Sequence, residues 1–98
     1  ALAARLKAFA DPTRLLLLAL VSRLRRFPLA VGDLARQLGV SQPTASGHLK
    51  LLRDLDLVEV VKRGNRSYYR IREGSLTAIL RELEDTLILR SPTPDDDN

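Results

Sequence analysis

Hydrophobic residues recur at helical spacing in the first quarter of the chain. Leu2, Leu6 and Phe9 lie at positions i, i+4 and i+7, which predicts one short amphipathic helix. Asp11 and Pro12 then suit the N-cap and the first turn of a second helix. From Leu15 to Leu24 this helix is apolar almost all round, so we expect it to be the buried central helix of the fold.

Two further short helices are predicted around a tight turn. The first carries an apolar face, and Gly39 lets the backbone leave it at positive φ; the face consists of Leu34, Ala35 and Leu38. Ser41 is a good N-cap for the second, which should extend from about Gln42 to Asp54 and bury Ala45, Leu49 and Leu52. Such a helix-turn-helix unit presents the exposed face of its second helix to the major groove of duplex DNA.

A change to a period of two predicts a β-hairpin after these helices. Residues 57–63 and 66–71 alternate around Gly64-Asn65, where a leading glycine suits a type II′ turn. Pairing outward from this turn places Arg63 opposite Arg66, followed by Val61 with Tyr68, Val60 with Tyr69, Glu59 with Arg70 and Val58 with Ile71. One face is then apolar and the tip is basic; the apolar face consists of Val58, Val60, Tyr69 and Ile71.

These elements predict a mostly α fold with a small β-hairpin, a winged helix-turn-helix of about five helices and a two-stranded wing. Phe27-Pro28-Leu29 is interpreted as a connector, and a last helix should extend from about Glu73 or Gly74 to Leu89. We expect residues 1–90 to form one DNA-binding and dimerisation domain. Residues 91–98 are acidic and contain proline, which predicts a disordered tail.

The first and last helices carry apolar stripes that a domain of this size cannot easily cover within one protomer. We therefore expect a two-fold dimer in which the terminal helices of both chains pack together. The predicted interface residues are Leu2, Leu6, Phe9, Leu76, Ile79, Leu80, Leu83 and Leu87.

Composition supports a nucleic-acid partner and argues against other classes. The formal net charge is +4, and it rises to +7 when the three acids Asp95, Asp96 and Asp97 of the tail are left out. Disulfides and thiolate metal sites are excluded because the sequence has no Cys. The longest apolar run, Leu15–Val21, is far shorter than the roughly 20 residues needed to cross a bilayer. We expect a soluble cytoplasmic protein with no membrane partner.

Several ordered motifs resemble the ArsR/SmtB-type winged helix-turn-helix repressors. They are Ala-Asp-Pro-Thr-Arg at 10–14, Val-Gly-Asp-Leu-Ala at 31–35, Ser-Gln-Pro-Thr-Ala-Ser-Gly-His-Leu at 41–49, Leu-Leu-Arg at 51–53, Leu-Val at 57–58, and Gly-Asn-Arg-Ser-Tyr-Tyr-Arg-Ile at 64–71. The resemblance implies a homodimeric cytoplasmic regulator that binds operator DNA and usually leaves it when an effector binds.

The chain departs from this resemblance where metal-sensing members bind their ions. Ala30 and Gly32 stand at the positions of two family cysteines, and the last helix offers Glu82, Glu84 and Asp85 but no His. Carboxylates alone suit Mg²⁺ or Ca²⁺ better than Zn²⁺, and a solvated helix face is the simpler interpretation. We therefore predict no metal site and no cofactor, and a small-molecule effector remains open.

The candidate DNA contacts follow from the second helix and the wing. Gln42 suits adenine, whereas Thr44 and Ser46 could reach base edges or phosphates, or could only cap the helix and be solvated. His48 is equally consistent with a phosphate contact and with a hydrogen bond inside the fold. The basic side chains of Lys50, Arg63 and Arg66 are best interpreted as contacts to phosphates or to the minor groove, and a solvated surface is the alternative. The predicted DNA-binding residues are Ser41, Gln42, Thr44, Ser46, His48, Lys50, Arg63, Asn65 and Arg66.

Two other classes of function fit the sequence less well. A winged-helix protein-interaction module without an operator would keep the fold, but the basic wing and the polar second helix argue against it. An enzyme is the weakest alternative, because one His, no Cys and no glycine-rich phosphate loop leave neither a nucleophilic triad nor a nucleotide site. The residues therefore predict a sequence-specific protein that binds duplex DNA, and the resemblance implies that it is a repressor of transcription.

Overall fold

The computed structural model describes residues 1–88, so the predicted tail and the expected helix end at Leu89 lie outside the described residues. Over this range five helices accompany a three-stranded antiparallel sheet, and the predicted winged helix-turn-helix fold is confirmed. The elements are α1 Leu2–Ala8, α2 Pro12–Arg23, β1 Leu29–Ala30, α3 Val31–Leu38, α4 Gln42–Asp54, β2 Val58–Arg63, β3 Arg66–Ile71 and α5 Ser75–Leu87.

The corner between α1 and α2 is fixed by one carboxylate and one guanidinium. The Asp11 carboxylate accepts a hydrogen bond of 3.0 Å from the Arg14 amide, which makes Asp11 the N-cap predicted for α2. The Nε atom of Arg14 donates to the Ala8 carbonyl at 3.1 Å. Because that carbonyl lies at the end of α1, the bond holds the two helices at a fixed angle.

The central helix α2 is buried on one face only. Leu17, Leu18 and Val21 lie in the core, whereas Leu15 and Leu16 are 49% and 56% exposed. The expectation of a helix buried all round is therefore wrong for the single chain. An almost wholly apolar segment has no periodicity with which to mark its inner face, and the described part of the chain covers only one side of α2.

The helix-turn-helix forms as predicted. Gly39 ends α3 in the left-handed region at φ 69°, and the Val40 amide bonds the Ala35 carbonyl at 3.1 Å. Ser41 then caps α4, and its Oγ accepts from the Thr44 amide at 3.2 Å. The inner face of α4 is fully buried, as expected; it consists of Ala45, Leu49 and Leu52.

The hairpin register is confirmed at every predicted pair, from Val58 with Ile71 to Arg63 with Arg66. Gly64 has φ 62° and Asn65 does not have positive φ, as a type II′ turn requires. The predicted two-stranded wing is thus confirmed, and the sheet to which it belongs contains one strand more. Leu29, interpreted as part of a connector, pairs with Tyr69, and Ala30 pairs with Tyr68, so β1 adds a third strand.

Helix α5 lies beside α1, and the Arg5 guanidinium is 3.6 Å from the Glu82 carboxylate. Ile79 is only 4% exposed and packs in the core of the protomer. Ile79 was predicted to lie at the dimer interface, and a side chain already covered by its own chain has little surface left for a partner. Among the described residues, no helix has the length and apolar character needed to span a membrane.

Candidate nucleic-acid interface

Helix α4 turns its apolar face to the core, and this fixes which residues face outward. Gln42, Thr44, Gly47 and Lys50 are exposed, and Ser46 is half-buried beside them. A Cβ atom added at Gly47 would meet open space. Because Gly47 has no side chain, no atoms project from the helix backbone at the centre of the outer face. The exposed face of α4 therefore has the polar, uncrowded surface that entry into a major groove requires.

Two of the predicted contact residues are engaged with each other at the start of α4. The Ser41 hydroxyl donates to Thr44 Oγ1 at 2.9 Å while it accepts from the Thr44 amide. Both residues remain exposed. The simpler of the two roles considered for Thr44, participation in the helix cap, is thus present in the free chain. A contact with DNA would be made by two hydroxyl groups that already bond each other.

His48 faces the α1–α2 corner. Its Nε2 atom is 4.0 Å from the Asp11 carboxylate, a distance too long for a hydrogen bond but short enough for a charge interaction when the ring is protonated. The side chain is half-buried. Of the two roles left open by the sequence, this position favours a contact within the fold, between α4 and the N-cap of α2.

The pKa of Asp11 is held below its ordinary value of 3.8, chiefly by the hydrogen bond from the Arg14 amide. Partial burial opposes this shift, and the charges of Arg14 and His48 add to it. A carboxylate with a lowered folded-state pKa stabilises the fold above its unfolded pKa. That contribution is lost as the pH falls through the folded pKa.

We expect Asp11→Asn to lower the melting temperature at neutral pH but to match the wild type in acid. Asn keeps the capping acceptor and removes only the charge, so the difference between the two proteins isolates the carboxylate. The measurement is the melting temperature of both proteins by circular dichroism between about pH 7 and pH 2. A difference that stayed constant over this range would contradict the assigned role of the charge.

Lys50 lies one turn from the end of α4, and its Nζ atom is 3.4 Å from the Asp54 carboxylate. The pair is solvent-exposed and spaced i, i+4, so it holds the ammonium only weakly. Lys50 therefore stays available to a phosphate on the outer face of the helix.

In the part of the chain that the structure describes, the tip of the wing carries two guanidinium groups without acidic partners. Among the described residues, no carboxylate forms an ion pair with Arg63 or Arg66, whereas Arg70 nearer the base pairs with Glu59 at 2.6 Å. Asn65 lies between the two arginines at the turn and is exposed. Facing like charges at a hairpin tip oppose folding slightly, and a polyanion would relieve this repulsion.

The residues considered for metal binding do not come together. Among residues 1–88, no group of three or more His, Asp or Glu side chains is arranged to hold an ion. His48 faces the α1–α2 corner, and Glu82 on α5 is paired with Arg5. The absence of a metal site in the whole protein stays a prediction.

The sequence interpretation missed Asp33 and Arg36 on α3, which form an exposed ion pair with each other close to the wing. Their i, i+3 spacing on the outer face of a predicted helix was a visible signal. Their nearness to the wing was not visible, because it depends on the pairing of β1 with β3.

A major-groove-sized helix with a polar outer face, beside a hairpin with a free cationic tip, defines a winged helix-turn-helix DNA-binding protein. Comparison with known families agrees. The family described as "Bacterial regulatory protein, arsR family" matches residues 11–60, about half of the chain. The chain belongs to this arsR family and is a DNA-binding transcriptional regulator.

Similar proteins are also named as regulators or repressors of transcription. The HTH-type transcriptional regulator Rv2034 of Mycobacterium tuberculosis is 44% identical over 78 residues, which cover 80% of this chain and 70% of the relative. The transcriptional repressor SmtB homolog of Synechocystis sp. is 38% identical over 80 residues, covering 82% of this chain and 58% of the relative. The chain thus spans less than two thirds of the second relative.

Solved structures share the fold at similar identity. The ArsR-like transcriptional regulator from Rhodococcus sp. RHA1 has a TM-score of 0.75 and 33% identity, with 87% of this chain and 77% of that chain covered. The homodimeric winged helix-turn-helix DNA-binding domain Mb0332 from Mycobacterium bovis has a TM-score of 0.67 and 31% identity, covering 93% and 84%. The protein-interaction alternative is not favoured.

Proposed function

We propose that this regulator is a cytoplasmic homodimeric repressor that binds a pseudo-palindromic operator. The observation that carries the proposal is that the polar face of α4 is exposed beside the wing tip. In the described chain the two arginines of this tip, Arg63 and Arg66, have no acidic partner. In a two-fold dimer each protomer offers one α4, so the half-sites should lie about one helical turn, or a multiple of it, apart.

The roles of the contact residues divide by chemistry. Gln42 has a primary amide that suits adenine, and it stands at the start of α4, from which recognition helices contact base edges. The cationic side chains Lys50, Arg63 and Arg66 bind backbone phosphates or the minor groove and supply affinity without sequence preference. Ser41, Thr44, Ser46 and Asn65 add shorter polar contacts, and His48 supports α4 from inside.

The dimer surface is formed by α1 and α5. Exposed apolar side chains on these helices include Leu80 and Leu87, which are 61% and 71% exposed in the single chain. The structurally similar domain from Mycobacterium bovis is described as homodimeric. The proposed surface consists of Leu2, Leu6, Phe9, Leu76, Leu80, Leu83 and Leu87, without Ile79.

The most informative experiment is the selection of bound genomic fragments by the purified protein, followed by binding titrations with one selected site and one random duplex. We expect an inverted repeat, an affinity that falls steeply with salt, and tighter binding to the selected site. Equal affinity for both duplexes at every salt concentration would count against a regulator with an operator of its own.

We further expect that metals do not release this protein from DNA. A tight Zn²⁺ site needs several Cys or His ligands close together, and the chain has no Cys and one His. In a dimer the two imidazoles would lie on separate recognition helices, too far apart to share an ion. The remaining effectors are a small organic ligand at the dimer interface, a protein partner, or none.

The test is a titration of Zn²⁺, Cd²⁺, Ni²⁺ and arsenite against the protein–operator complex, read by fluorescence anisotropy. The complex should persist at micromolar metal, and a titration with a metal chelator alone serves as the control. Stoichiometric release by any of these ions would contradict the prediction.

A further inference from the structure

A cleft of about 500 Å³ separates the helix-turn-helix from the wing. Its walls come from the start of α3, the first residue of α4 and the turn of the hairpin. Polar and charged side chains dominate it, and they include Asp33, Arg36, Gln42, Asn65 and Arg66, with Gly32 also in its lining. A Cβ atom added at Gly32 would come no closer than 3.9 Å to Gln42 Oε1, so there is space for a side chain at this position.

The position of this cleft relative to bound DNA follows from the shape of the duplex. Adjacent major and minor grooves are separated by one sugar–phosphate backbone. When α4 occupies a major groove and the wing tip reaches the neighbouring minor groove, the backbone between the two grooves must pass between α4 and the wing. The cleft is the space between them.

The charges of the cleft suit such a ligand. Arg66 has no carboxylate partner among the described residues, and Arg36 is bound to Asp33 in the free chain. Guanidinium groups bind phosphate oxygens through two parallel hydrogen bonds, so two of them in one cleft form a phosphate site. Asp33 opposes this, because its carboxylate repels a phosphate and competes for Arg36.

We infer that this cleft binds a backbone phosphate of the operator, with Arg36 as a DNA contact and Asp33 as its exposed ion-pair partner in the free chain. The inference rests on the proposed function and extends it to a residue of α3. On binding, Arg36 exchanges its carboxylate partner for a phosphate. Because this contact carries no base information, it adds affinity for all duplexes equally.

The first test compares Arg36→Gln with Arg81→Gln, a matched loss of charge at an exposed position of α5. We expect Arg36→Gln to weaken binding about 3- to 10-fold on both selected and random duplexes, and to reduce the salt slope by about one. Asp33→Asn should change affinity in the opposite direction. Arg81→Gln should change neither quantity by a comparable amount.

The second test places a charge in the cleft itself. Gly32 is helical and open, so Gly32→Glu and Gly32→Gln should both fold, and a glutamate in the first turn of α3 is compatible with the helix dipole. We expect the glutamate to weaken DNA binding at least about 10-fold more than the equally long glutamine, because only the glutamate repels the phosphate. Equal effects of the two substitutions would overturn the inference.

A duplex with one neutral methylphosphonate identifies the phosphate. Scanning the modification along the half-site should reveal a position at which wild-type affinity falls and Arg36→Gln affinity does not. If every position weakens both proteins equally, the inference is wrong although DNA binding stands. If the wild type binds no duplex, the proposed function fails and the inference fails with it.

Discussion

Replacing Leu80 and Leu83 together by glutamate should convert the dimer into a monomer and reduce operator affinity by about 100-fold or more. Two buried carboxylates facing their partners across the two-fold axis would carry a large desolvation and repulsion penalty. A monomer also binds one half-site only and loses the gain from simultaneous engagement. Sedimentation at micromolar concentration and anisotropy titrations with the selected operator provide the two measurements.

Leu83 is half-buried in its own chain, so a second variant guards against misfolding. Leu80→Glu with Leu87→Glu changes only exposed side chains and should give the same monomer. Thr77→Glu with Arg81→Gln alters the net charge equally on the flank of α5 and should remain dimeric. A wild-type protein that sediments as a monomer at micromolar concentration would rule out the proposed assembly.

Replacing Arg63 and Arg66 together by alanine should weaken binding to every duplex and lower the salt slope by about two. Both guanidinium groups lie at the wing tip without acidic partners in the described chain, so their full charge is available to phosphates.

Gln42→Ala should affect sequence preference rather than overall affinity. It should reduce the preference for the selected operator, with an expected cost of about 1–3 kcal/mol at the matched base, and leave random binding nearly unchanged.

Arg26→Ala with Arg81→Ala removes the same net charge from exposed positions on the loop after α2 and on α5. We expect this control to lower affinity much less than the wing variant. Similar losses from the wing pair and the control pair would show that net charge, rather than the wing tip, governs binding. If Gln42→Ala lowered the affinity for both duplexes equally, Gln42 would have no role in recognising the operator sequence.

Features set by neighbouring residues could be predicted from the sequence. The Asp11 and Ser41 caps, the Gly39 helix end and the hairpin register each depend on local backbone geometry, and each is confirmed. A turn of two residues fixes the pairing of both strands, because each step away from the turn adds one pair.

Features that depend on distant partners could not be predicted in the same way. A strand as short as Leu29–Ala30 has no periodicity, and its pairing with β3 joins segments almost forty residues apart. The stripe on α5 likewise does not reveal which of its side chains are buried in the core of their own protomer, and Ile79, predicted at the dimer interface, is one of these. The proposed DNA and dimer contacts of the remaining residues stay predictions.

The third strand connects the wing to the helix-turn-helix. β1 ends at Ala30, which is also the N-cap of α3, and its two residues pair with the central strand of the sheet. Any reorientation of the hairpin must therefore break these pairs or carry α3 with it. We therefore expect the wing and the helix-turn-helix to move together, so that docking on DNA would freeze few internal motions beyond side chains. An effector that releases the operator would have to turn whole protomers against each other.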